Sequence, residues 1–367
     1  DFGCGDELRF VISNTTEAGI VYDPTCRFDD CPPASFPAKL TRLLWQRWHA
    51  GKPGLILLPC ELIANNGTVL RDTVLRHAAD WALEEDFLRW LREENRFCNT
   101  LVDRIVTGYP AAQAPRLNAE NGYEDALLDT AEPFGLWVIE GDEALSREFP
   151  AQKAGLPVKF VADHHPYKEQ KVRILNGSHT GMVPIALQMG CETVMDAFNT
   201  PAIERFINDM VAEEVIPMIE EDQDELKRFA AGILERFYNP FIKHMLRSIS
   251  LNSLSKWEAR NYPTVRDNWF KAQRIAAREC FTFAALMTLY SPKSGFEPDD
   301  TKEFVEYIRA NWDSADVEAT ISKIVKESGI FTVDFSEVPG FVPTVAGYVR
   351  DIEALGMKDA LKKFLGE

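Results

Sequence analysis

Two patterns of hydrophobic and polar positions divide the chain. In the first part, apolar runs of strand length at Arg9–Ser13 and Gly54–Cys60 alternate with amphipathic helical segments. The second run is continuously apolar, which is typical of a strand in a parallel sheet covered on both faces. From Tyr167 onward the spacing is helical, and no strand-like alternation of comparable length recurs. The pattern therefore predicts an α/β domain over residues 1–160 followed by an all-helical domain over residues 161–367.

Within the first domain, the spacing predicts helices over 35–49 and 68–92, and a strand over 137–139 approached by the polar segment 129–134. Arg9–Ser13 reads as a buried strand. In the second domain, residues 262–270 and 291–300 read as connectors because they carry Pro, Gly and Asp. The predicted helices of that domain cover 167–189, 192–199, 202–219, 222–236, 239–260, 272–290, 300–311, 314–328 and 342–364.

Length and charge narrow the classes of function. A chain of 367 residues can bury a large core and suggests two domains. Its net charge of −17 makes nucleic acid or an anionic membrane a poor partner, and no apolar run reaches the length of a membrane span. The seven cysteines are odd in number and scattered, and no signal peptide is recognisable. We therefore expect a reduced, cytoplasmic protein without a disulfide framework.

Metal-binding motifs are not evident. The chain has no Cys-x2-Cys pair, and Cys26 with Cys31 lacks partners at zinc spacing. The adjacent His164 and His165 have no third ligand close by. The sequence therefore predicts no metal site.

The side chains best suited to chemistry are concentrated in the segment 166–179. At about 100° per residue, Lys168, Lys171, Asn176 and His179 project within an arc of roughly 140° on a helix. This face carries two amines, an amide and an imidazole, and no acid, whereas a solvated face usually mixes acids with bases. An active-site helix and an ordinary surface helix both fit this spacing.

The segment 171–179, K-V-R-I-L-N-G-S-H, resembles the signature of the polyol-specific long-chain dehydrogenases, the mannitol dehydrogenase family. The resemblance runs from about residue 8 to the C-terminus and includes four further segments, 13–20, 59–63, 101–110 and 239–244. It implies a Rossmann-type NAD-binding domain followed by a mostly helical substrate-binding domain. The implied activity is metal-independent oxidation of a secondary alcohol. Within the family, the resemblance favours members that interconvert D-altronate and D-tagaturonate in hexuronate breakdown.

The resemblance also implies catalytic roles. Lys171 is expected to be the general acid/base, Asn176 to donate its amide to the reacting oxygen, and His179 to orient the substrate hydroxyl or the lysine. A lysine can act as a base only where burial or a nearby cation lowers its pKa. Asn66 is expected to be a second amide near that oxygen, although Asn-Gly is also a plain turn signal.

The residues expected to contact NAD lie in a Gly-rich turn, after the first strand, or in a Val-Asp-Arg-Ile segment that matches the family. Each has a plain alternative as a turn, a helix cap or a structural ion pair. After the Gly-rich turn, the chain runs directly into a segment resembling a later strand, so much of the first nucleotide-binding half is expected to be absent. The residues are Gly3, Gly5, Asn14, Thr15, Thr16, Glu17, Val102 and Asp103.

An anionic sugar acid needs local cations in so acidic a protein. Lys168 stands where polyol-oxidising relatives carry an acid, which favours an anionic small-molecule substrate. Mannonate or mannitol oxidation stays open, as does a non-catalytic relative without its cofactor half, and the sequence leaves the oligomeric state undetermined. The residues expected at the substrate are Lys168, Glu132, Asn239, His244 and Lys256.

Overall fold

The computed structural model describes residues 2–16 and 18–367, with every side chain in these ranges except that of Thr107. The chain divides into two compact units, the first ending at Lys168 and the second running from Glu169 to Glu367. The expectation for Glu17 lies outside the described residues. None of the helices in the described ranges is long and apolar enough to span a membrane.

The strands belong to the first unit. They are β1 (Phe10–Ser13), β2 (Ile56–Pro59), β3 (Arg96–Phe97), β4 (Thr100–Asp103), β5 (Val106–Gly108), β6 (Thr130–Ala131), β7 (Leu136–Glu140) and β8 (Val158–Val161). A parallel sheet has the order β1-β2-β3. A second sheet has the order β4-β7-β8, in which β7 is antiparallel to β4 and parallel to β8. β5 and β6 form a separate antiparallel pair.

The strands predicted at Arg9–Ser13 and Gly54–Cys60 are confirmed, and they pair in parallel from Phe10↔Ile56 to Ser13↔Pro59. The expectation that the first strand is buried is wrong along part of its length, because Ile12 is 54% exposed. β1 is an edge strand of the described sheet, so a covering of both faces is not required there.

The helices of the first unit are α1 (Phe36–His49), α2 (Asn66–Asp80), α3 (Glu85–Glu93), α4 (Ala114–Asn121) and α5 (Glu143–Glu148). The helix predicted at 35–49 is confirmed, and the Ser35 side chain caps it by accepting the N–H of Ala38. The single helix predicted over 68–92 is wrong. Ala82 adopts a left-handed φ of 52°, which ends α2 and lets α3 turn its apolar face toward the core.

The second unit contains the remaining helices, the first of which, α6, begins before the division between the units. They are α6 (His165–Gln170), α7 (Gly177–Gln188), α8 (Val194–Phe198), α9 (Pro201–Met210), α10 (Gln223–Arg236), α11 (Leu246–Ile249), α12 (Ser253–Arg260), α13 (Tyr262–Ala272), α14 (Ala277–Tyr290), α15 (Lys302–Ala310), α16 (Val317–Lys326), α17 (Phe341–Leu355) and α18 (Met357–Leu365). Between Met210 and Ile219 the helix passes into π and 3-10 turns, at Val211–Val215 and Ile216–Met218.

Three boundaries in this unit differ from the prediction. The span 239–260 is not one helix, because its first residues form a loop and helix resumes only at α11. The supposed connector 262–270 is helix α13, in which Pro263 occupies the first turn, where no backbone N–H is needed. The span 342–364 is interrupted by Gly356 at φ 78°.

α7 and α14 are the helices that position the candidate site. Nearly every residue of each is buried, which is the property of a helix that runs through a core rather than along a surface. Both carry mostly small or apolar side chains, so they can be covered on all sides. A π-helical segment, Lys171–Asn176, leads directly into α7.

Candidate active site

The loops at the carboxyl ends of β1 and β2 are tied together by Glu61. Its buried carboxylate accepts the Ser13 hydroxyl at 3.0 Å, and both the N–H and the hydroxyl of Thr15 at 2.9 and 2.8 Å. Asn14 and Thr16 are exposed on this loop. Polar groups at the carboxyl ends of parallel strands suit a nucleotide ribose, so Asn14, Thr15 and Thr16 fit the role expected of them. Glu61 was missed because its partners, Ser13 and Thr15, lie 48 and 46 residues away in the chain.

Asn66 is committed to the backbone around it. Its Nδ2 donates to the carbonyl oxygens of Pro59, Glu61 and Thr100 at 2.8 to 3.1 Å, and its Oδ1 accepts the N–H groups of Gly67 and Thr100. The residue is 1% exposed. These contacts use both amide hydrogens, and they support a role in fastening the strand ends rather than in holding a reacting oxygen. We therefore leave Asn66 out of the proposed catalytic set.

The Gly-rich turn is packed against a buried arginine. Gly5 donates its N–H to Phe2 O at 3.0 Å, while the carbonyl oxygens of Gly3 and Gly5 accept from Arg47 at 2.9 and 3.0 Å. Arg47 is fully buried and also bonds Leu8 O. The turn thus gives the arginine its acceptors, and we do not assign a pyrophosphate to Gly3 and Gly5. The helical spacing of Arg47 within α1 gave no signal of this role.

Val102 and Asp103 end β4, and Asp103 is buried. The following Arg104 donates to the carbonyl oxygens of Pro133 and Phe134 at 3.3 and 2.8 Å. Glu132 accepts the N–H of Ile105 at 2.7 Å and is 3% exposed. Glu132 therefore holds the chain that leaves β4, which is a positioning contact within the first unit.

In the second unit, Lys171, Asn176 and His179 lie on one continuous helical run. Lys171 is buried, Asn176 is half-buried and His179 is buried. The assumption of uniform α-helical steps between them is wrong, because Lys171–Asn176 is a π-helical segment with wider turns. π-Helical turns inside α-helices are frequent at functional sites, since they re-aim side chains. The three residues still lie on one helical run. The 140° arc, which assumes regular α-helical steps, does not apply to their side chains.

Arg173, the remaining cation of this segment, is held by acids. Its guanidinium contacts Asp267 at 2.6 Å and Glu169 at 3.2 Å. The pair with Asp267 is mostly buried. Arg173 therefore anchors the π-helical segment to α13 and is poorly placed to recognise a substrate anion.

The surroundings of His179 are cationic and aromatic. Its ring lies 4.4 Å from the ring of Phe237 and 5.1 Å from that of His244, centroid to centroid. Burial, and then the positive charges of His244, Arg236 and Arg260, hold the pKa of His179 well below 6.5. The imidazole is consequently neutral, and its buried Nε2 makes no hydrogen bond within the described protein. A neutral ring nitrogen can accept or donate a hydrogen bond with a substrate hydroxyl without a change of charge.

The loop after α10 carries two of the expected substrate residues, and one of them, His244, lies beside His179. Asn239 accepts the N–H of Phe241 at 3.0 Å and His244 is half-buried beside His179. Lys256, on α12, donates to Ile249 O at 3.0 Å. Arg236 and Arg260 were missed, because a helical arginine near a carboxyl terminus reads as an ordinary helix-end cation. Arg260 donates to the Thr180 hydroxyl at 3.1 Å, directly after His179 in the chain.

A buried polar network supports the start of α7. Asn261 donates to Gly177 O at 3.1 Å and to the Glu279 carboxyl at 2.9 Å. Burial raises the pKa of Glu279 to about 8. Glu214 accepts the N–H groups of Arg278 and Glu279 at 2.9 and 3.0 Å, capping α14. Through the contact with Gly177 O, the network fixes the backbone between Asn176 and His179.

The expectation that His164 and His165 lack a third ligand is wrong. One ligand atom from each of Glu140, Asp163, His164 and His165 lies within 4.8 Å of all the others. Asp163 is adjacent in sequence, whereas Glu140 is brought there by the pairing of β7 with β8, which spacing alone does not reveal.

Comparison with known proteins places these features in a family. Residues 6–153 match the model of the mannitol dehydrogenase Rossmann domain, and residues 163–353 match that of the mannitol dehydrogenase C-terminal domain. Altronate oxidoreductase of Bacillus subtilis (strain 168) is 41% identical over 99% of this chain and 76% of its own length. Altronate oxidoreductase of Klebsiella pneumoniae (strain 342) is 42% identical over 97% of this chain and 76% of its own length.

Two solved structures have the same fold. D-sorbitol dehydrogenase in substrate-free form has a TM-score of 0.80 at 24% identity, over 98% of this chain and 76% of that one. Pseudomonas fluorescens mannitol 2-dehydrogenase, in a ternary complex with NAD and D-mannitol, has a TM-score of 0.72 at 23% identity, over 99% and 76%. Because these structures are only 24% and 23% identical to this chain, the similarity establishes a shared fold alone. The two family models together with the 41% identity to a curated relative establish that the chain belongs to the mannitol dehydrogenase family.

Proposed function

We propose that this protein is an NAD-dependent oxidoreductase that interconverts D-altronate and D-tagaturonate, with Lys171 as the general acid/base. The observation that carries the proposal is the location of buried Lys171 and buried, neutral His179 on one helical run, with Arg236, Arg260 and His244 around His179. The names of the relatives with 41% and 42% identity support the choice of substrate.

The first unit would hold the cofactor. Asn14, Thr15 and Thr16 would contact its ribose, on a loop that Glu61 already fixes. Val102 and Asp103, at the end of β4, stay candidates for a contact near the nicotinamide. When bound, NAD supplies the acceptor for the hydride that leaves the alcohol carbon.

The second unit carries the groups that act on the alcohol. In oxidation, the substrate O–H bond breaks and its proton passes to Lys171 Nζ as the C–H bond is lost and the C=O bond forms. The Asn176 amide would donate to the same oxygen and stabilise its developing charge. His179 would orient the hydroxyl through its neutral imidazole, since burial and then its cationic neighbours oppose protonation of the ring. In reduction the proton moves in the opposite direction.

The substrate carboxylate requires cations in a chain of net charge −17. His244, Arg236 and Arg260 lie around His179 and would supply them. Asn239 can add a neutral contact from the loop that carries His244. Lys168 and Lys256 are further candidates, and Lys168 would discriminate a sugar acid from an uncharged polyol. The cluster of His244, Arg236 and Arg260 in the second unit supports a sugar-acid substrate better than mannitol.

Partner and compartment follow from composition. The seven cysteines are free thiols, which supports a reducing, cytoplasmic setting. Its acidity is a poor match to nucleic acid.

The test compares substrates on the purified full chain. Oxidation of D-altronate, D-mannonate and D-mannitol with NAD is followed by NADH absorbance, and NADH binding is measured separately. We expect altronate to have the highest kcat/KM. A higher value for mannonate or mannitol would move the assignment to those members of the family. Absence of both turnover and NADH binding would favour the non-catalytic reading instead.

A further inference from the structure

We propose that Glu140, Asp163, His164 and His165 form a binding site for a divalent transition-metal ion such as Zn²⁺, separate from the lysine chemistry. Two imidazole nitrogens and two carboxylate oxygens are a ligand set that Zn²⁺ accepts. All four lie in the first unit, and one ligand atom from each lies within 4.8 Å of the others.

Sheet topology brings the four residues together. β7 and β8 are parallel neighbours, with Glu140 opposite Val161. The segments that follow the two strands therefore leave the sheet at the same edge. The Gly141 N–H donates to Val161 O at 2.9 Å and holds the two strand ends side by side. Glu140 closes β7, and Asp163 to His165 follow β8 after one intervening residue. The site is therefore built on rigid backbone rather than on a long loop.

Each imidazole is already matched with one carboxylate. His164 Nδ1 lies 2.6 Å from Glu140 Oε1, and His165 Nδ1 lies 2.6 Å from Asp163 Oδ1. Asn99 donates to the second oxygen of Glu140 at 2.8 Å, which fixes the orientation of that carboxylate. The two imidazole rings lie 4.5 Å apart, centroid to centroid. One such pair alone is a common way to satisfy a buried histidine, but here the ligand atoms of two pairs all lie within 4.8 Å of one another.

Bond lengths set what must move. A tetrahedral ion with metal–ligand bonds of about 2.0–2.2 Å holds its ligand atoms roughly 3.3–3.6 Å apart. The present spread of 4.8 Å exceeds this by roughly 1 Å, so at least one ligand must move inward. His164 is 2% exposed and would be the fixed ligand, whereas Asp163 and His165 have side chains 59% and 58% exposed and can rotate toward the ion. The exposed pair also gives the ion access from solvent.

A bound ion would link the end of β7 to the first turn of α6, which begins at His165. No step of alcohol oxidation is routed through it. The proposal therefore predicts metal binding that can be measured without substrate or cofactor.

The test is titration of Zn²⁺ alone into the full chain, without a polyhistidine tag, after chelation and desalting. We expect one ion per chain by calorimetry. The His165→Ala and Asp163→Asn variants should each bind at least about tenfold more weakly, and both residues are exposed enough for the fold to survive. His49→Ala is the matched control, because His49 is an exposed histidine with a single carboxylate partner, Glu84, at 3.2 Å.

Cobalt gives an independent readout. Co²⁺ bound at this site should show ligand-field absorption without a thiolate charge-transfer band, and Glu140→Gln should weaken it. Absence of stoichiometric Zn²⁺ binding would overturn the proposal. So would equal affinity in His165→Ala and His49→Ala, or a thiolate band that assigns the ion to the cysteines.

Discussion

The imidazole rings of His179 and His244 lie 5.1 Å apart and meet edge to face at 76°. The first belongs to α7, and the second to the loop that joins α10 to α11. That loop is held by an isolated bridge between Thr193 and Met245, and by the His244 carbonyl oxygen, which accepts the Val194 N–H at 3.0 Å. Two segments with separate sequence signals thus meet at one point in the second unit.

This contact leads to a prediction for His244. His244→Ala should lower kcat/KM for altronate by at least about tenfold, since a contact to a charged group contributes roughly 1.5–3 kcal/mol. The effect should fall mainly on KM, because His244 is proposed to bind the carboxylate rather than to move a proton. The measurement is initial-rate kinetics beside His49→Ala, which should match the wild type. An unchanged KM would exclude His244 from substrate binding.

Lys171 is expected to carry the proton transfer. Lys171→Ala should lower kcat by a factor on the order of 10² or more while NADH still binds, because the general acid/base is lost and the cofactor loops are not. Initial rates measure the loss of turnover, and NADH fluorescence measures cofactor binding separately. Lys227→Ala is the control, since Lys227 is an exposed lysine of the same unit. Near-normal turnover in Lys171→Ala would remove the residue from this role.

The sequence predicted the elements of this site better than its geometry. The Lys-x4-Asn-x2-His spacing located the helical run correctly, but only the structure reveals the π-helical turns that separate Lys171 from Asn176. Tertiary support is present here, because Asn261, between α12 and α13 and 84 residues away in the chain, donates to Gly177 O. Local spacing carries no record of that contact.

The parallel pairing of β1 with β2 was predictable because two apolar runs of strand length flank an amphipathic helix. The roles of four charged residues were not predictable, for a common reason. These residues are Glu61, Arg47, Arg236 and Arg260. Each acts through partners distant in sequence, so its residue type alone does not reveal its role. The same limit concealed Glu140 beside His164.

Lys168 provides a test of substrate charge. Lys168→Glu should reduce kcat/KM for altronate far more than for mannitol, because a carboxylate beside the substrate carboxylate adds repulsion that an uncharged polyol does not experience. The expected difference is about tenfold or more, from the roughly 1.5–3 kcal/mol of a charge-assisted contact. The ratio of the two kcat/KM values, wild type against variant, is the quantity to compare. Equal losses on both substrates would mean that Lys168 does not face the carboxylate.

Removal of metal should leave the chemistry intact. Proton transfer to Lys171 needs no Lewis acid, so the exhaustively chelated enzyme should retain turnover within about twofold of the untreated protein. Chelator is removed before assay, and Zn²⁺ is then added back to a parallel sample. Loss of activity that Zn²⁺ restores would contradict the lysine mechanism as written, whereas the ion-binding measurements on His165→Ala would stand independently.

Glu279 predicts a pH dependence of stability. Burial raises its pKa to about 8 in the folded chain, from an ordinary value of 4.5, so the folded state binds this proton more tightly than the unfolded state. Its contribution to stability is therefore fully present below pH 4.5 and is lost as the pH rises through 8, with a slope of at most about 1.4 kcal/mol per pH unit.

The Glu279→Gln variant replaces the carboxyl with an amide of the same shape that cannot ionise. Between pH 6 and 9, the melting temperature of the wild type should fall further than that of Glu279→Gln by several degrees, on the order expected for roughly 2–3 kcal/mol. Glu235→Gln is the control, because Glu235 is an exposed residue of α10, and it should follow the wild-type curve. Parallel curves for wild type and Glu279→Gln would mean that the buried carboxyl does not gain or lose a proton between pH 6 and 9. The support of the Gly177 carbonyl by Asn261 would then be independent of pH.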